Sequence, residues 1–216
     1  MTAMKLMIVD DFYPDPWSVR RYALSLRFQD AANEDEKTYY KGMLTSPLHP
    51  YAALGLNLLA AGLNRPVSWR APTGEFRLIL APGPDDGCEQ KATWIHYDAL
   101  VARYSALVFL NPERQCVGGT NFYRHRTFGW EFLPDPGSQE MARACGKLGR
   151  NLQEVLDALR DDGFAVEEKW DLLTSVPMRF NRCIVFDSRQ FHARTGTFGR
   201  TAQDGRLTQN FFFDLA

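Results

Sequence analysis

Two histidines and one aspartate in this chain have the types and spacing of a metal site. His96 and Asp98 are two residues apart at the end of a predicted strand, Thr93–Asp98, so their side chains point to the same face. His192 follows a second apolar strand, at the point where that strand opens into a loop. A set of two histidines and one carboxylate holds Fe(II) on one face and leaves the opposite positions open for O2 and organic ligands. We therefore predict that His96, Asp98 and His192 bind a single non-haem Fe(II) as the catalytic centre.

The His-x-Asp pair is a weak signal when it is taken alone. A chain with four histidines contains such a pair by chance in about one case in five. The alternative is a His and an Asp near a strand end that are hydrogen-bonded to each other or to loop amides, and a lone His192 is more often structural or exposed to solvent.

Arg206 and Thr208 strengthen the prediction, because they share one face of the last predicted strand. A guanidinium and a hydroxyl side by side suit a carboxylate, which arginine can bind through two parallel hydrogen bonds. For an isolated arginine at a strand start, a plain surface charge is the alternative.

Short strand-like segments must position these residues. From Val67 onward the hydrophobic period is close to two, and clusters of Gly, Pro and Asp separate the segments. The pattern predicts a mainly β fold with flanking helices, an antiparallel barrel or sandwich of the jelly-roll kind. The predicted strands are Phe76–Ala81, Thr93–Asp98, Tyr104–Leu110, Thr120–His125, Arg179–Asp187 and Thr208–Leu215.

Helices are predicted on the outside of these strands. A short strand over Met4–Val9, a helix that begins at Asp15-Pro16 and a helix over Tyr51–Leu63 form a helical support over about residues 10–66. An amphipathic stripe over Ser138–Arg160, with a stop at Gly163, predicts a helical insertion over about residues 138–162, more typical of a brace than of a lid. No linker interrupts the chain, so a single domain over residues 1–216 is expected.

Composition and charge narrow the class of protein. The 216 residues are 45% hydrophobic and 24% charged with a formal net charge of -1, so nucleic acid and acidic membranes are not expected partners. No apolar run approaches the roughly 20 residues of a membrane span, and the apolar run Leu6–Val9 is too short for a signal peptide. The four cysteines, Cys88, Cys116, Cys145 and Cys183, are widely spaced and form no paired motif. Without a signal peptide we expect reduced thiols and a cytoplasmic location.

Five segments in a fixed order resemble the Fe(II)/2-oxoglutarate-dependent dioxygenases, in the prolyl-hydroxylase-like branch and an uncharacterised bacterial group within it. The resemblance covers about residues 90–215, and residues 9–15 are similar to the strand-to-helix entry of that branch. The five segments are Trp94-Ile95-His96-Tyr97-Asp98, Ser105 to Asn111, Gly118 to Phe122, Ile184 to His192, and Arg206-Leu207-Thr208.

This resemblance implies a double-stranded β-helix, which is a jelly roll or cupin-like barrel, with Fe(II) on the His-Asp-His set. The cosubstrate 2-oxoglutarate would chelate the iron, while Arg206 and Thr208 hold its far carboxylate. The implied activity is O2-dependent hydroxylation of an amino acid, a peptide or a small natural product, with release of succinate and CO2. Asp98 occupies the position that related halogenases leave free for halide, which favours hydroxylation.

Several points stay open at the level of the sequence. Phe109 stands where the branch often presents a tyrosine hydroxyl to the cosubstrate, and Tyr104 or Asn210 could replace that contact. His125 is either a pocket residue or an exposed loop residue. Trp94 is expected inside the barrel, for packing or for stacking on substrate. Two other functions also remain open: a jelly-roll metalloenzyme that does not use 2-oxoglutarate, and a non-catalytic jelly-roll binding module.

Overall fold

Two antiparallel sheets form the centre of the computed structural model, which describes residues 6–30, 42–69, 73–81, 94–98 and 102–216. The helices are α1 (Pro16–Ser25), α2 (Pro50–Leu63), α3 (Gln139–Leu148), α4 (Leu152–Asp162) and α5 (Val166–Lys169), with a 3-10 turn over Glu113–Gln115. The strands are β1 (Leu6–Val9), β2 (Gln29–Asp30), β3 (Met43–Leu44), β4 (Val67–Ser68), β5 (Phe76–Ile79), β6 (Tyr104–Phe109), β7 (Gly119–His125), β8 (Trp170–Pro177), β9 (Cys183–Asp187), β10 (His192–Thr195) and β11 (Arg206–Leu215).

The larger sheet has the strand order β1-β9-β6-β11-β5-β3-β2, and β4 pairs with the far end of β11. Strand β11 lies at its centre, between β5 and β6. In the register of these strands, Thr208 is opposite both Arg77 and Phe109, and Arg206 is opposite Ile79. Because paired residues share a face, this register places Arg206, Thr208 and Arg77 on the same side of the sheet.

The smaller sheet has the order β10-β7-β8, and His96 extends it by one bridge. The backbone N–H of His96 donates to the His192 oxygen at 2.9 Å, and His192 donates back at 2.8 Å. The predicted strand over Thr93–Asp98 is therefore wrong beyond this bridge, and Thr93 lies outside the described residues. The amides on either side of the bridge donate to carbonyl oxygens outside any strand: Ile95 N–H donates to the Gly163 oxygen, and Asp98 N–H donates to the Ser188 oxygen.

Three apolar clusters hold these layers together. Helices α1 and α2 pack on the outer face of the larger sheet, for example Leu59 near Phe211 and Phe213. A second cluster, which includes Phe122 and Ile184, lies between the sheets. The third packs α3 and α4 on the outer face of the smaller sheet. The two helical layers therefore flank a pair of sheets, and the mainly β fold with flanking helices is confirmed.

The first N-terminal helix begins where it was predicted, and the second begins and ends close to its predicted bounds. Asp15 caps α1 by accepting a hydrogen bond from the Ser18 amide at 3.1 Å. His49 caps α2 through Nδ1, which accepts from Ala52 at 3.2 Å, and Asn64 ends that helix in the left-handed region. No helix within the described ranges is long and apolar enough to cross a bilayer.

The helical insertion is two helices rather than the single predicted one. Gly149, at φ 62°, ends α3, and Asn151 begins α4 with a capping box to Glu154. The apolar stripe continues across the break because both helices pack on the same cluster. The predicted stop at Gly163 is confirmed, since this glycine follows the last residue of α4.

Candidate metal centre

The structure brings His96, Asp98 and His192 together at the edge of the smaller sheet. One ligand atom from each side chain lies within 4.8 Å of the other two. Asp98 Oδ1 is 4.0 Å from His96 Nε2 and 3.8 Å from His192 Nε2. Nitrogen and oxygen ligands bind transition metals at about 2.0–2.2 Å, so small side-chain adjustments would let one ion reach all three atoms.

Backbone carbonyls fix the tautomers of both histidines. The Nδ1 atom of His96 is 3.0 Å from the Trp94 oxygen, and Nδ1 of His192 is 2.8 Å from the Gln190 oxygen. A carbonyl only accepts hydrogen bonds, so each Nδ1 carries the proton and each Nε2 keeps its lone pair. Burial, together with repulsion from His192, lowers the pKa of His96 well below its ordinary value. His96 is therefore prepared to act as a neutral ligand.

A short chain of hydroxyls orients the carboxylate. Ser105 Oγ donates to Asp98 Oδ2 at 2.5 Å, and Ser188 Oγ lies 2.8 Å from Ser105 Oγ. Ser105 has a single proton, which goes to Asp98, so Ser188 donates to Ser105. Sequence reasoning missed both serines. The available signal was a lone hydroxyl within the apolar strand β6, where a buried polar group needs a partner.

A cavity of about 630 Å3, counted to its open mouth, lies between the two sheets. The three candidate ligands line it, together with Arg206 and Thr208 from β11. The structure therefore places all five predicted site residues around one space. Five further polar side chains line the same cavity: Arg77, Ser105, Thr120, Arg194 and Asn210.

Arg206 is the most unusual charge in this cavity, because its side chain is almost fully buried, at 2% exposure. Its Nη2 donates to the Gly119 oxygen at 3.3 Å, while its Nε makes no hydrogen bond within the described part of the chain. Burial, followed by repulsion from Arg194 and Arg77, lowers the pKa of Arg206. A buried cation in such surroundings is stabilised by an anion, and the free Nε shows that donor capacity remains.

The two residues considered as replacements for the missing tyrosine lie on opposite faces of the larger sheet. Phe109 is buried between the sheets, with the Arg206 guanidinium 5.4 Å from its ring. Tyr104 packs on Phe213 in the cluster under the helices, so it does not face the cavity. Asn210 lines the cavity, where its Oδ1 accepts from the Thr208 hydroxyl at 3.1 Å. Of the two, only Asn210 can reach a ligand there.

His125 and Trp94 lie outside the space between the sheets. His125 is fully buried behind the smaller sheet, where its Nε2 is 3.0 Å from Asp162 and its ring packs on Trp170. This is neither the pocket nor the exposed loop position considered from sequence. Trp94 is half-buried, stacks on His96 and donates through Nε1 to the Arg160 oxygen. The prediction that Trp94 lies inside the barrel is therefore wrong, because the α4 helix end takes its indole N–H.

Comparison with known proteins gives one family and a set of similar structures. The model of a family of unknown function, DUF6445, matches residues 1–213, so the chain belongs to that family. A search of curated proteins by sequence finds no match.

Three of the similar structures cover nearly the whole chain at low identity. The non-haem alpha-ketoglutarate-dependent carbocyclase SnoK from nogalamycin biosynthesis has a TM-score of 0.53 at 13% identity, covering 96% of this chain and 78% of that one. HygX from Streptomyces hygroscopicus, with nickel, 2-oxoglutarate and hygromycin B bound, has a TM-score of 0.49 at 16% identity and coverage of 96% and 82%. A Pseudomonas putida prolyl-4-hydroxylase has a TM-score of 0.44 at 15% identity and coverage of 97% and 91%. The likeness to SnoK shows that this chain shares its fold.

Proposed function

We propose that this member of DUF6445 is an Fe(II)- and 2-oxoglutarate-dependent oxygenase built on a double-stranded β-helix. The observation that carries the proposal is the convergence of two elements in one cavity. The first is a His-Asp-His set with both Nε2 lone pairs available, and the second is a buried arginine with an unused donor. The fold shared with SnoK, itself described as alpha-ketoglutarate dependent, supports it.

The donor set fits a divalent iron. Two neutral imidazoles and one carboxylate on adjoining backbone segments form one triangular face, which suits an octahedral ion with open positions opposite. The mutual bridge between His96 and His192 fixes the distance between the two imidazoles. Ser105 fixes the carboxylate of Asp98, so all three ligands are held before an ion arrives.

The cavity also fits 2-oxoglutarate. The Arg206 guanidinium would hold the far carboxylate, and the Thr208 hydroxyl would join it by turning its single proton from Asn210 Oδ1 to that carboxylate. Phe109 and Phe122 are buried between the sheets, so apolar walls adjoin this binding site. Such surroundings strengthen a charge pair between a guanidinium and a carboxylate.

With both groups bound, the iron supplies the activation of O2. The substrate C–H bond, O2 and 2-oxoglutarate become an alcohol, succinate and CO2, with one oxygen atom in the alcohol and the other in succinate. Within this reaction, His96, Asp98 and His192 hold the ion on one face, and Arg206 orients the cosubstrate. The ligand position that Asp98 fills favours hydroxylation over halogenation. A small molecule or a peptide is the proposed substrate.

The test is the formation of succinate from 2-oxoglutarate by purified protein reconstituted with Fe(II) in air. We expect slow turnover without added substrate, bound iron near one equivalent, and loss of both in His96→Ala. His125→Gln is the matched control, because this buried histidine lies outside the cavity and its replacement should leave iron binding unchanged.

Two results would contradict the proposal in different ways. Iron well below one equivalent in folded wild-type protein would favour a non-catalytic binding module. Turnover of any substrate that Arg206→Ala leaves unchanged would favour a metalloenzyme that does not use 2-oxoglutarate.

A further inference from the structure

A second cavity adjoins the candidate metal centre on the side of α4. It lies between residues 94–98 and α4, and it measures about 750 Å3, counted to its open mouth. His96 and Asp98 line this second cavity and also line the cavity between the sheets. These two candidate ligands therefore stand between the space proposed for the cosubstrate and a space that can take another molecule.

The C-terminal end of α4 holds the two walls of the second cavity together. The Trp94 indole N–H donates to the Arg160 oxygen at 3.1 Å, and the Ile95 amide donates to the Gly163 oxygen at 2.9 Å. Gly163 permits this approach, because a Cβ there would lie 2.3 Å from the Ile95 oxygen and 2.7 Å from Trp94 Nε1. The second cavity is therefore built into the fold, and its walls are fixed to each other.

The lining of the second cavity combines aromatic and aliphatic side chains. The Trp94 ring is stacked on the His96 ring, with centroids 4.8 Å apart and 15° between the planes. Tyr97 adds a second large ring from the same wall, and α4 adds Leu156 and Leu159 from the opposite wall. Walls of this kind bury the surface of an apolar ligand, and aromatic rings favour a planar one. The lining therefore suits the planar apolar part of an organic molecule.

Three polar side chains of α4 also line the second cavity, and they are bonded to one another. Gln153 Nε2 donates to Asp157 Oδ1 at 3.1 Å, and Arg160 Nη2 is 3.3 Å from the same oxygen. Asp161 is also near Arg160, at 3.8 Å, so two carboxylates offset the charge of this arginine. These side chains offer hydrogen bonds without an excess of positive charge. They therefore favour an uncharged ligand with hydroxyl, carbonyl or amide groups over an anion.

Building on the function proposed above, we propose that the second cavity binds the organic substrate, and that this substrate is an uncharged molecule with a planar apolar part. The planar part would contact Tyr97 and Leu156, and polar groups would bind Gln153 near the mouth. The C–H bond to be oxidised would then lie beside His96 and Asp98, while the cosubstrate occupies the cavity between the sheets. Pockets of about 300–1,000 Å3 hold ligands of drug size, so a ring-containing small molecule fits better than a peptide.

The experiment is fluorine NMR on protein labelled with 5-fluorotryptophan and loaded with Zn(II) and saturating 2-oxoglutarate. Zn(II) replaces Fe(II) because a diamagnetic ion keeps the signals sharp. The chain has five tryptophans, and Trp94→Phe assigns the signal of Trp94. Indole is the planar uncharged probe, cyclohexanol is the uncharged probe that is not planar, and benzenesulfonate is the planar anion.

We expect indole to shift the Trp94 signal in a saturable way and to leave the other four signals in place. Its dissociation constant should be about 1 mM, as is usual for a fragment of this size. Cyclohexanol and benzenesulfonate should each bind about fivefold more weakly or not at all, because they lack the planar surface or carry a charge into an apolar space.

Variants connect this binding to the wall that α4 forms. Leu156→Asn should weaken indole by about tenfold, because an apolar contact surface is lost, while Zn(II) and 2-oxoglutarate affinities stay within about threefold. Leu156→Met keeps the apolar volume and should bind indole within about threefold of wild type, which guards against a folding defect. Leu148→Asn is the matched control, because Leu148 is a partly buried leucine of the same apolar cluster that lies on α3. Its indole affinity should equal that of wild type.

Three outcomes would overturn the inference. Absence of a Trp94 shift with indole would remove the site. Cyclohexanol or benzenesulfonate binding as tightly as indole would remove the preference for a planar or an uncharged molecule. Unchanged indole affinity in Leu156→Asn would place the probe elsewhere. Failure of the proposed function is separate, because Fe(II)-loaded protein would then show no charge-transfer band with 2-oxoglutarate, whether or not indole binds.

Discussion

Replacing Ser105 by alanine removes the one side-chain hydroxyl that donates to the Asp98 carboxylate among the residues that the structure describes. The 2.5 Å contact is a hydrogen bond to a charged group, which contributes about 1.5–3 kcal/mol. One factor of ten in affinity corresponds to about 1.4 kcal/mol. Ser105→Ala should therefore weaken metal binding by about 10–100-fold, as expected for a residue that orients a ligand.

The assay is an anaerobic titration with Fe(II), followed by calorimetry, on wild-type protein and on Ser105→Ala. Ser25→Ala is the matched control, because Ser25 donates to a backbone carbonyl at an exposed helix end. Ser188→Ala should give a smaller loss, since Ser188 acts on the carboxylate through Ser105. A metal affinity within about twofold of wild type, in Ser105→Ala protein that unfolds cooperatively, would refute the reasoning.

Three further predictions concern the cosubstrate, the buried histidine and the N-terminal ion pairs. Arg206→Met should weaken the binding of 2-oxoglutarate by about 100-fold, because two charge-assisted hydrogen bonds are lost, while the Fe(II) affinity measured by calorimetry stays near wild type. A parallel loss of both affinities would contradict separate roles. His125→Gln should lower the free energy of unfolding by about 1–3 kcal/mol in denaturant titrations, because the hydrogen bond to Asp162 is lost, and it should leave metal binding unchanged. Weaker metal binding would mean that this cluster supports the site. Asp10 accepts hydrogen bonds from Arg182 and Arg179, which lower the pKa of its carboxyl, the Arg182 bond most of all. Its stabilisation is therefore present above the unfolded pKa of about 3.9 and is lost as pH falls through the lower folded value. Asp10→Asn should be less stable by about 1 kcal/mol at pH 7, and the difference should shrink as the pH falls below the unfolded pKa; a difference that does not shrink on acidification would show another cause.

The order of the chemical groups along the chain could be predicted from the sequence. Period-two patterning located β5, β6, β7 and β11. His192 and Arg206 could be selected as candidate site residues because each lies at a strand boundary. The same patterning predicted a mainly β fold with flanking helices, and the strands and helices of the structure agree with it. These features can be predicted because hydrophobic alternation along a strand depends on local sequence.

What the sequence did not predict depends on contacts between distant segments. Strand β8 has four exposed or half-exposed residues in succession after Asp171, so its pattern does not alternate. Strand β10 is too short and polar to stand out, and only its register with β7 defines it. The role of Ser105 depends on an approach to Asp98 that no spacing encodes, and Arg77 and Arg194 likewise line one cavity from two different sheets.

The pair of sheets gives the site its rigidity. His96 and His192 exchange two backbone hydrogen bonds, and this pair of bonds holds the two backbone segments that carry the imidazoles together. Gly118 and Gly119 bring β7 close to its neighbours, since a Cβ on Gly119 would lie 2.0 Å from the Val176 oxygen. The candidate metal end and the deep arginine are therefore fixed by the same small sheet.

The most direct test of the central claim is the visible spectrum of anaerobic protein with one equivalent of Fe(II) and excess 2-oxoglutarate. A metal-to-ligand charge-transfer band forms only when both bind the same centre, because the 2-oxo acid must chelate the iron. We predict that this band appears in wild-type protein, disappears in His96→Ala and requires higher 2-oxoglutarate in Arg206→Met. Folded wild-type protein that binds one equivalent of Fe(II) and shows no band would contradict the account.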